Sequence, residues 1–436
     1  MKKTFAYCQQ LVSIQFYNMS LTNVKDMSFM LMGTSIQLFA PNRFDTKSVE
    51  TMASMFQNCY RLTQVKFAEF ESPNLKDMSY MFSGCESLFD IDLKNLNTNN
   101  VVNMQALFQG CIALGQLSIE FFDTRQVTDM SHMFENVQSL GDLSLTFFRT
   151  ENVKTMASMF KGCFSLGFLN TASFDTSNVE DMSYMFSECR AISFANVETF
   201  KTGKVKNFEG MFYGCNGLTS LSLNEFDTSS ATNMKSMFEL CSTLRSVEMS
   251  EWDTSNVEDM SSMFLSCQSL MKVDFSKLNT GRVKYMGQMF EGCAALDSVS
   301  ISNINTASVE DMTSMFSYTP ISSLNLNWNT ANVKSMKKMF NKMVQLTSIN
   351  LGSSFVTNNV ETMEGMFYGC EHLLYIDVSN FNVEKVESFQ DFVAECYQLT
   401  SIDVSKFVTT SAKNMYEMFS NCGNLLVLNL EKFNTS

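Results

Sequence analysis

In the stretch VEDMSSMFLSCQSLMKVDFSKLNT, residues 257–280, the apolar positions are Val257, Met260, Met263, Phe264, Cys267 and Leu270. They fall at offsets 0, 3, 6, 7, 10 and 13, a helical period. From Leu270 the spacing changes: Leu270, Val273 and Phe275 follow the L-x-x-L-x-L pattern of a short strand. Leu278-Asn279-Thr280 then turns the chain. The expectation is a short helix, a short strand and a turn.

The same pattern repeats along the whole chain of 436 residues. The first methionine of Met-x-x-Met-Phe falls at Met27, Met52, Met78, Met104, Met130, Met156 and Met182, then at Phe208, Met234, Met260, Met286, Met312, Met336, Met363, Phe389 and Met415. The step is 26 residues, except 25 once near the start and 24 then 27 around Pro320. With Met1 counted one step earlier, there are 17 units and no linker between them. A unit of one strand and one helix cannot bury its apolar face alone, so the units must stack. In the unit entered at Val179 either Ser177 or Asn178 could cap the helix, with Glu180 and Asp181 in its first turn. Strands about 4.8 Å apart beside helices needing roughly 8–10 Å would curve the stack, strands inside.

A charge column supports this register. The residue after each column valine runs Lys25, Glu50, Lys76, then Lys154, Glu180, Lys206, then Glu258, Lys284, Glu310, Lys334, Glu361. The sign alternates, and Glu361 beside Glu387 is the one like-charge neighbour pair. A slip by one unit would bring like charges together, so the column specifies register.

Three further columns offer chemistry. All 13 cysteines, from Cys8 to Cys422, share one column, with Thr34, Val137, Thr319 and Met343 in its vacancies. No close CxxC pair suggests zinc, and valine or methionine in the column indicates a small buried hydrophobe rather than a disulfide ladder. The paired methionines could hold Cu(I), but Phe208, Phe389 and Phe392 occupy the same columns and ligate nothing. The turn aspartates Asp45, Asp123, Asp175, Asp227 and Asp253 could hold calcium, but Arg149 and Lys201 share their column, which favours a turn role.

FDTSNVEDMSYMFSEC (residues 174–189) and WDTSNVEDMSSMFLSC (residues 252–267) resemble the repeat of BspA-like leucine-rich-repeat surface proteins. The variant they resemble is found in lipoproteins of wall-less bacteria. The resemblance implies a right-handed leucine-rich-repeat solenoid, surface display, and adhesion or protein binding without catalysis. The expected fold is therefore an α/β solenoid: one horseshoe over residues 1–436, about 17 units of 26 residues, strands inside and short helices outside. Both ends read as uncapped, no signal peptide is recognisable, and Met1-Lys2-Lys3 leads into Gln9 and Gln10 rather than an apolar run.

The composition narrows function further. A net charge of −14 without a basic run disfavours nucleic acid, and two histidines, His132 and His372, leave little for triads or multi-histidine metal sites. No cofactor, metal, enzyme activity or direct membrane insertion is expected. The expected function is a cell-surface or extracellular module that binds a protein or glycan through its strand face. The alternatives are a fibre built by head-to-tail self-association and an intracellular scaffold. The contact stripe is the outward residue of each strand, including Lys66, Ser118, Asn170, Asn196 and Asn350. Its acidic members Asp92, Glu248, Asp274, Asp377 and Asp403 are the candidate partner-binding residues, and they imply a basic patch on the partner.

Overall fold

The turn that begins at Val257 shows how each coil is held. The N–H groups of Met260, Ser262, Phe264 and Ser266 all donate to the following coil, to the carbonyls of Tyr285, Gly287, Met289 and Glu291 at 2.7–3.0 Å. The alternate N–H groups of Met263, Leu265 and Cys267 reach back three residues, to Met260, Ser262 and Phe264, at 3.0–3.4 Å. Ser262 and Ser266 have φ of 57° and 59°. The segment is therefore a series of tight turns whose every second residue pairs sideways, as a strand does.

This corrects the helix expected there. Among the described residues of this computed structural model, which are 1–67, 70–193, 197–302 and 304–434 (backbone alone for 17–20 and 42–44), no helix occurs. An α-helix needs every interior N–H bonded four residues back and no left-handed residue in its middle. Here two residues per coil are left-handed, and half the N–H groups are committed to the neighbouring coil. The column before the cysteine makes this plain. Gly84, Gly110, Gly162, Gly214, Gly292, Gly369, Asn58, Asn136 and Asn421 stand there with φ between 59° and 73°, the conformation glycine and asparagine adopt at least cost. The apolar spacing of three suits a run of turns as well as a helix. The helix caps also dissolve: Asn178 donates its Nδ2 to the Glu151 carbonyl of the preceding coil at 2.8 Å. The curvature expected from wide helices beside narrow strands has no helix to rest on.

The fold is a parallel β-solenoid with turns of roughly 26 residues, and the chain divides into two compact units, Met1–Leu218 and Thr219–Ser436. In the first unit single parallel bridges link Asp26 through successive coils to Asn207; in the second they run from Asn233 to Asn414. A second ladder is formed by short strands, including Gln64–Lys66, Asp90–Asp92, Asp142–Ser144 and Phe168–Asn170 in the first unit. The second unit holds Ser246–Glu248, Lys272–Asp274 and Ser298–Ser300 among others. Like positions pair: Val65 with Ile91, and Asp274 with Ser300.

Stacking puts identical side chains in register. Phe56, Phe82, Phe108, Phe134, Phe160, Phe186 and Phe212 lie ring on ring, with centroids 5.4–5.8 Å apart and planes within 13° of parallel. Phe238, Phe264, Phe290, Phe316, Phe340 and Phe367 stack likewise in the second unit at 5.2–6.0 Å, with planes within 20° of parallel. Both methionine columns are buried beside them; Met260 and Met263 are fully covered. The threonine of the turn column bonds the next coil, and at Thr98, Thr124, Thr150, Thr176, Thr330 and Thr409 it is a two-way rung. Thr150 Oγ1 donates to the Asp175 carbonyl at 2.9 Å and accepts the Asp175 N–H at 2.8 Å.

Replacing Phe264, which is fully buried between Phe238 and Phe290, by alanine should cost about 3–5 kcal/mol. Because stability in a stacked array is largely a sum over neighbours, hydrogen exchange should quicken in the adjoining coils first. Uniform quickening over the whole chain, or no change, would contradict the stacked core.

Candidate functional site

The strand face is where the side chains leave the core. In the three-residue strands the middle residue is buried or half-buried and the third is exposed, as with buried Val273 and exposed Asp274, in all but Phe168–Asn170, where Asn170 is half-buried. The five candidates follow this rule: Asp92, Glu248, Asp274, Asp377 and Asp403 are all exposed. Asn196, expected on the same stripe, lies outside the described residues. The structure assembles four of the five into two pairs on neighbouring coils. Glu248 and Asp274 line one pocket of about 380 Å³ with Asn224, Ser250 and Lys277. Asp377 and Asp403 directly follow the paired strands Tyr375–Ile376 and Ser401–Ile402. Asp92 belongs to the other unit and sits opposite Lys66.

Each aspartate in the stripe already performs a local task. Asp274 Oδ1 accepts the Ser276 N–H at 2.8 Å, Asp377 that of Ser379 at 2.9 Å, Asp403 that of Ser405 at 3.0 Å, and Asp92 that of Lys94 at 3.1 Å. This is an Asx turn, in which a side-chain oxygen stands in for a backbone acceptor two residues back. The serines at 276, 379 and 405, through hydroxyl and N–H, hold the Asp274, Asp377 and Asp403 carboxyls below the ordinary range. Asn170 and Asn350 make the same turn without charge. The carboxylate is therefore not required by the turn. Glu248 differs: its Oε2 accepts the Ser222 hydroxyl at 2.7 Å from the preceding coil.

The other acidic columns are also turn residues. Asp123, Asp175, Asp227 and Asp253 accept the N–H two residues on at 3.0–3.1 Å, and Asp181 and Asp259 accept those of Ser183 and Ser261 at 2.8–2.9 Å. Calcium is not needed to explain them. Among the described residues, no three His, Cys, Asp or Glu side chains group to hold a metal ion. Away from the strand face, opposite charges meet from coil to coil. Glu50 lies between Lys25 at 2.9 Å and Lys76 at 3.3 Å, and Glu258 meets Lys284 at 2.8 Å, Glu310 meets Lys334 at 2.6 Å.

All 13 cysteines are free. Most column thiols donate to a phenylalanine carbonyl of the preceding coil, Cys59 to that of Leu31 and Cys422 to that of Val393; Cys189 Sγ lies 3.1 Å from the Phe160 oxygen. Burial pushes the Cys163, Cys293 and Cys370 thiols up to about 12, which makes them poor nucleophiles. One feature escaped the sequence reading. Gly115, Gly141 and Gly167 form a column at the start of the strand face, flanked by the exposed rings of Phe89 and Phe168. The signal was legible as ALGQLS, SLGDLS and SLGFLN in successive units.

The described residues form a repeat protein, a parallel β-solenoid with a polar strand face. A protein-family profile described as "Mycoplasma protein of unknown function, DUF285" matches residues 1–117, 77–193, 103–216, 186–296, 241–353 and 345–436, together the whole length. The chain belongs to that family. Among solved structures it is similar to a leucine-rich repeat protein from Bacteroides ovatus (17% identity, 86% of this chain and 80% of that one, TM-score 0.45). It is also similar to one from Eubacterium ventriosum (14%, 85% and 85%, 0.38) and to a leucine rich cell surface protein from Faecalibacterium prausnitzii (16%, 86% and 75%, 0.29). No curated protein matches the chain in sequence. Among the described residues, no helix is long and apolar enough to cross a membrane.

Two outcomes follow from the site chemistry. A thiol reagent should label exposed Cys8 first and half-buried Cys422 more slowly, while the other 11 thiols wait for denaturation, which without reductant should expose 13 in total. A markedly lower total would restore the disulfide ladder. The second outcome concerns acid. The folded-state carboxyls of Asp175, Asp253, Asp274 and Asp377 are lowered, so their stabilisation is full well above about pH 3.9, the ordinary aspartate value, and is lost as pH falls through the lower folded values. Thermal melting should therefore drop on acidification into that range, and less so when these four are replaced by asparagine. An equal drop in the variant would contradict this origin.

Proposed function

We propose that this protein is a noncatalytic surface module that captures a partner protein through its strand face, the partner presenting basic side chains. The observation that carries the reading is a departure from the chain's own rule. Where charges line up from coil to coil on the valine side, signs alternate and pair, with Glu361 and Glu387 as the exception. On the strand face, Glu248 beside Asp274 and Asp377 beside Asp403 set like charges on adjoining coils, with a single lysine, Lys277 or Lys406, near each pair. Asparagine would serve the Asx turns equally, so the negative charge is surplus to the fold. Complementary charge on a partner would relieve the repulsion and speed encounter. Surface display is part of this reading and rests on the resemblance of the repeat to surface proteins. A glycan ligand is the other partner class compatible with a small, polar strand face.

Changing Asp274, Asp377 and Asp403 together to asparagine preserves the turns and removes three charges. Binding of a poly-lysine probe to the immobilised chain should weaken severalfold to tenfold, and its dependence on salt should flatten. Unchanged affinity and salt dependence would overturn the reading.

A further inference from the structure

The first unit contains a second, chemically different surface on the strand face. Gly115, Gly141 and Gly167 occupy one column on three consecutive coils, and the fold gives no reason for glycine there. None has φ in the left-handed region. A Cβ added at Gly141 would meet nothing within 4 Å, and at Gly115 and Gly167 only the Ser139 and Ser165 carbonyls at 3.6 and 4.0 Å, an ordinary contact. The result is a flat shelf of bare backbone. Phe89 stands at one end in the glycine column and Phe168 at the other in the adjoining column, 55% and 45% exposed. Beside them lie exposed Asp142, whose carboxylate has no hydrogen bond or ion pair among the described residues, half-buried Asp90, which accepts the Gln64 amide at 3.1 Å, and exposed Asp92.

Sheet face, rings and carboxylates together fit one kind of occupant. A cationic side chain is drawn both to the face of an aromatic ring and to a neighbouring carboxylate, and a bare shelf lets another backbone come close. Phe89 and Phe168 are three coils apart, about 14 Å at the inter-strand spacing, and residues four apart in an extended chain span about 13 Å. We propose that this surface docks an extended segment of a partner protein that lies along the solenoid across the strands, with basic side chains four positions apart over Phe89 and Phe168 and its backbone against the glycine shelf. This rests on the strand face being a binding surface and adds where one partner segment sits and what it carries.

The test uses the full chain and a fluorescein-labelled nine-residue Gly/Ser peptide with arginine at its third and seventh positions, read by anisotropy at about 0.15 M salt. A control peptide carries glutamine at both positions. The arginine peptide should bind at least tenfold more tightly than the control. Phe89→Leu with Phe168→Leu should weaken it about tenfold, and Gly141→Leu, which fills open space, should abolish it with an unchanged melting temperature. Equal binding of the two peptides, or native affinity in these variants, would overturn the inference. The variant with asparagine at 274, 377 and 403 should bind the peptide normally, since those residues lie in the other unit. If that variant alone loses the peptide, the docking surface proposed here is wrong while the broader reading stands. If neither this peptide nor poly-lysine binds, both fall.

Discussion

Everything in this molecule depends on the sideways hydrogen bonding of one coil to the next. The donors of Met260, Ser262, Phe264 and Ser266 reach the following coil at 2.7–3.0 Å, and the strand ladder does the same on another side. Both ladders fix neighbouring coils at strand spacing, about 4.8 Å. A side chain then has its own counterpart as nearest neighbour, and each column must tolerate being next to itself. Phenylalanine tolerates it by stacking ring on ring, threonine by donating and accepting at once, asparagine by reaching a carbonyl of the preceding coil. In the bridging column carboxylates avoid it. Where Asp occupies the bridging column it is interleaved with neutral residues, as in Asp26, Thr51, Asp77, Asn103 and Asp129.

The same constraint explains why residues with chemical potential are inert here. The buried cysteines lie between stacked hydrophobic rows, as Cys189 does with its thiol tied to the Phe160 carbonyl, and burial raises thiols such as that of Cys163. Aspartates that could have formed a calcium ladder bond their own turns instead. On the strand face charge exceeds what the turns require, since asparagine makes the same turn as aspartate there. That is why the functional reading concentrates on a few carboxylates and rings rather than on the abundant columns.

The period, the columns and the buried set were legible in the sequence because each is a property of spacing alone. Val257, Met260, Met263, Phe264, Cys267 and Leu270 are all fully buried, as their pattern required. The backbone between them was not legible from that spacing, since offsets of 3, 3, 1, 3 and 3 suit successive turns and helices alike. The deciding residues were Gly84, Gly110, Gly162 and Gly292, which recur in the middle of the supposed helix where a helix would least accept them. At the candidate site, exposure of Asp92, Glu248, Asp274, Asp377 and Asp403 followed from strand alternation. Their bonds to the N–H two residues on did not, because an Asx turn depends on the local backbone path. The glycine shelf was written in three consecutive units, yet it gains meaning only once φ and the surrounding space are known.

The alternation of charge has a consequence for how such a chain can change its length. In the second unit, coils bearing Glu258-Asp259 and Glu310-Asp311 flank one bearing Lys284-Tyr285. Excising that single middle coil would set Glu258 against Glu310 and Asp259 against Asp311. Within the alternating run from Glu258 to Lys334, removing or duplicating two adjacent coils leaves every junction matched. The tolerated quantum of growth or loss is thus a couplet of 52 residues, twice the visible 26-residue period. Unequal recombination between out-of-phase repeats would be filtered by electrostatics before any ligand was involved.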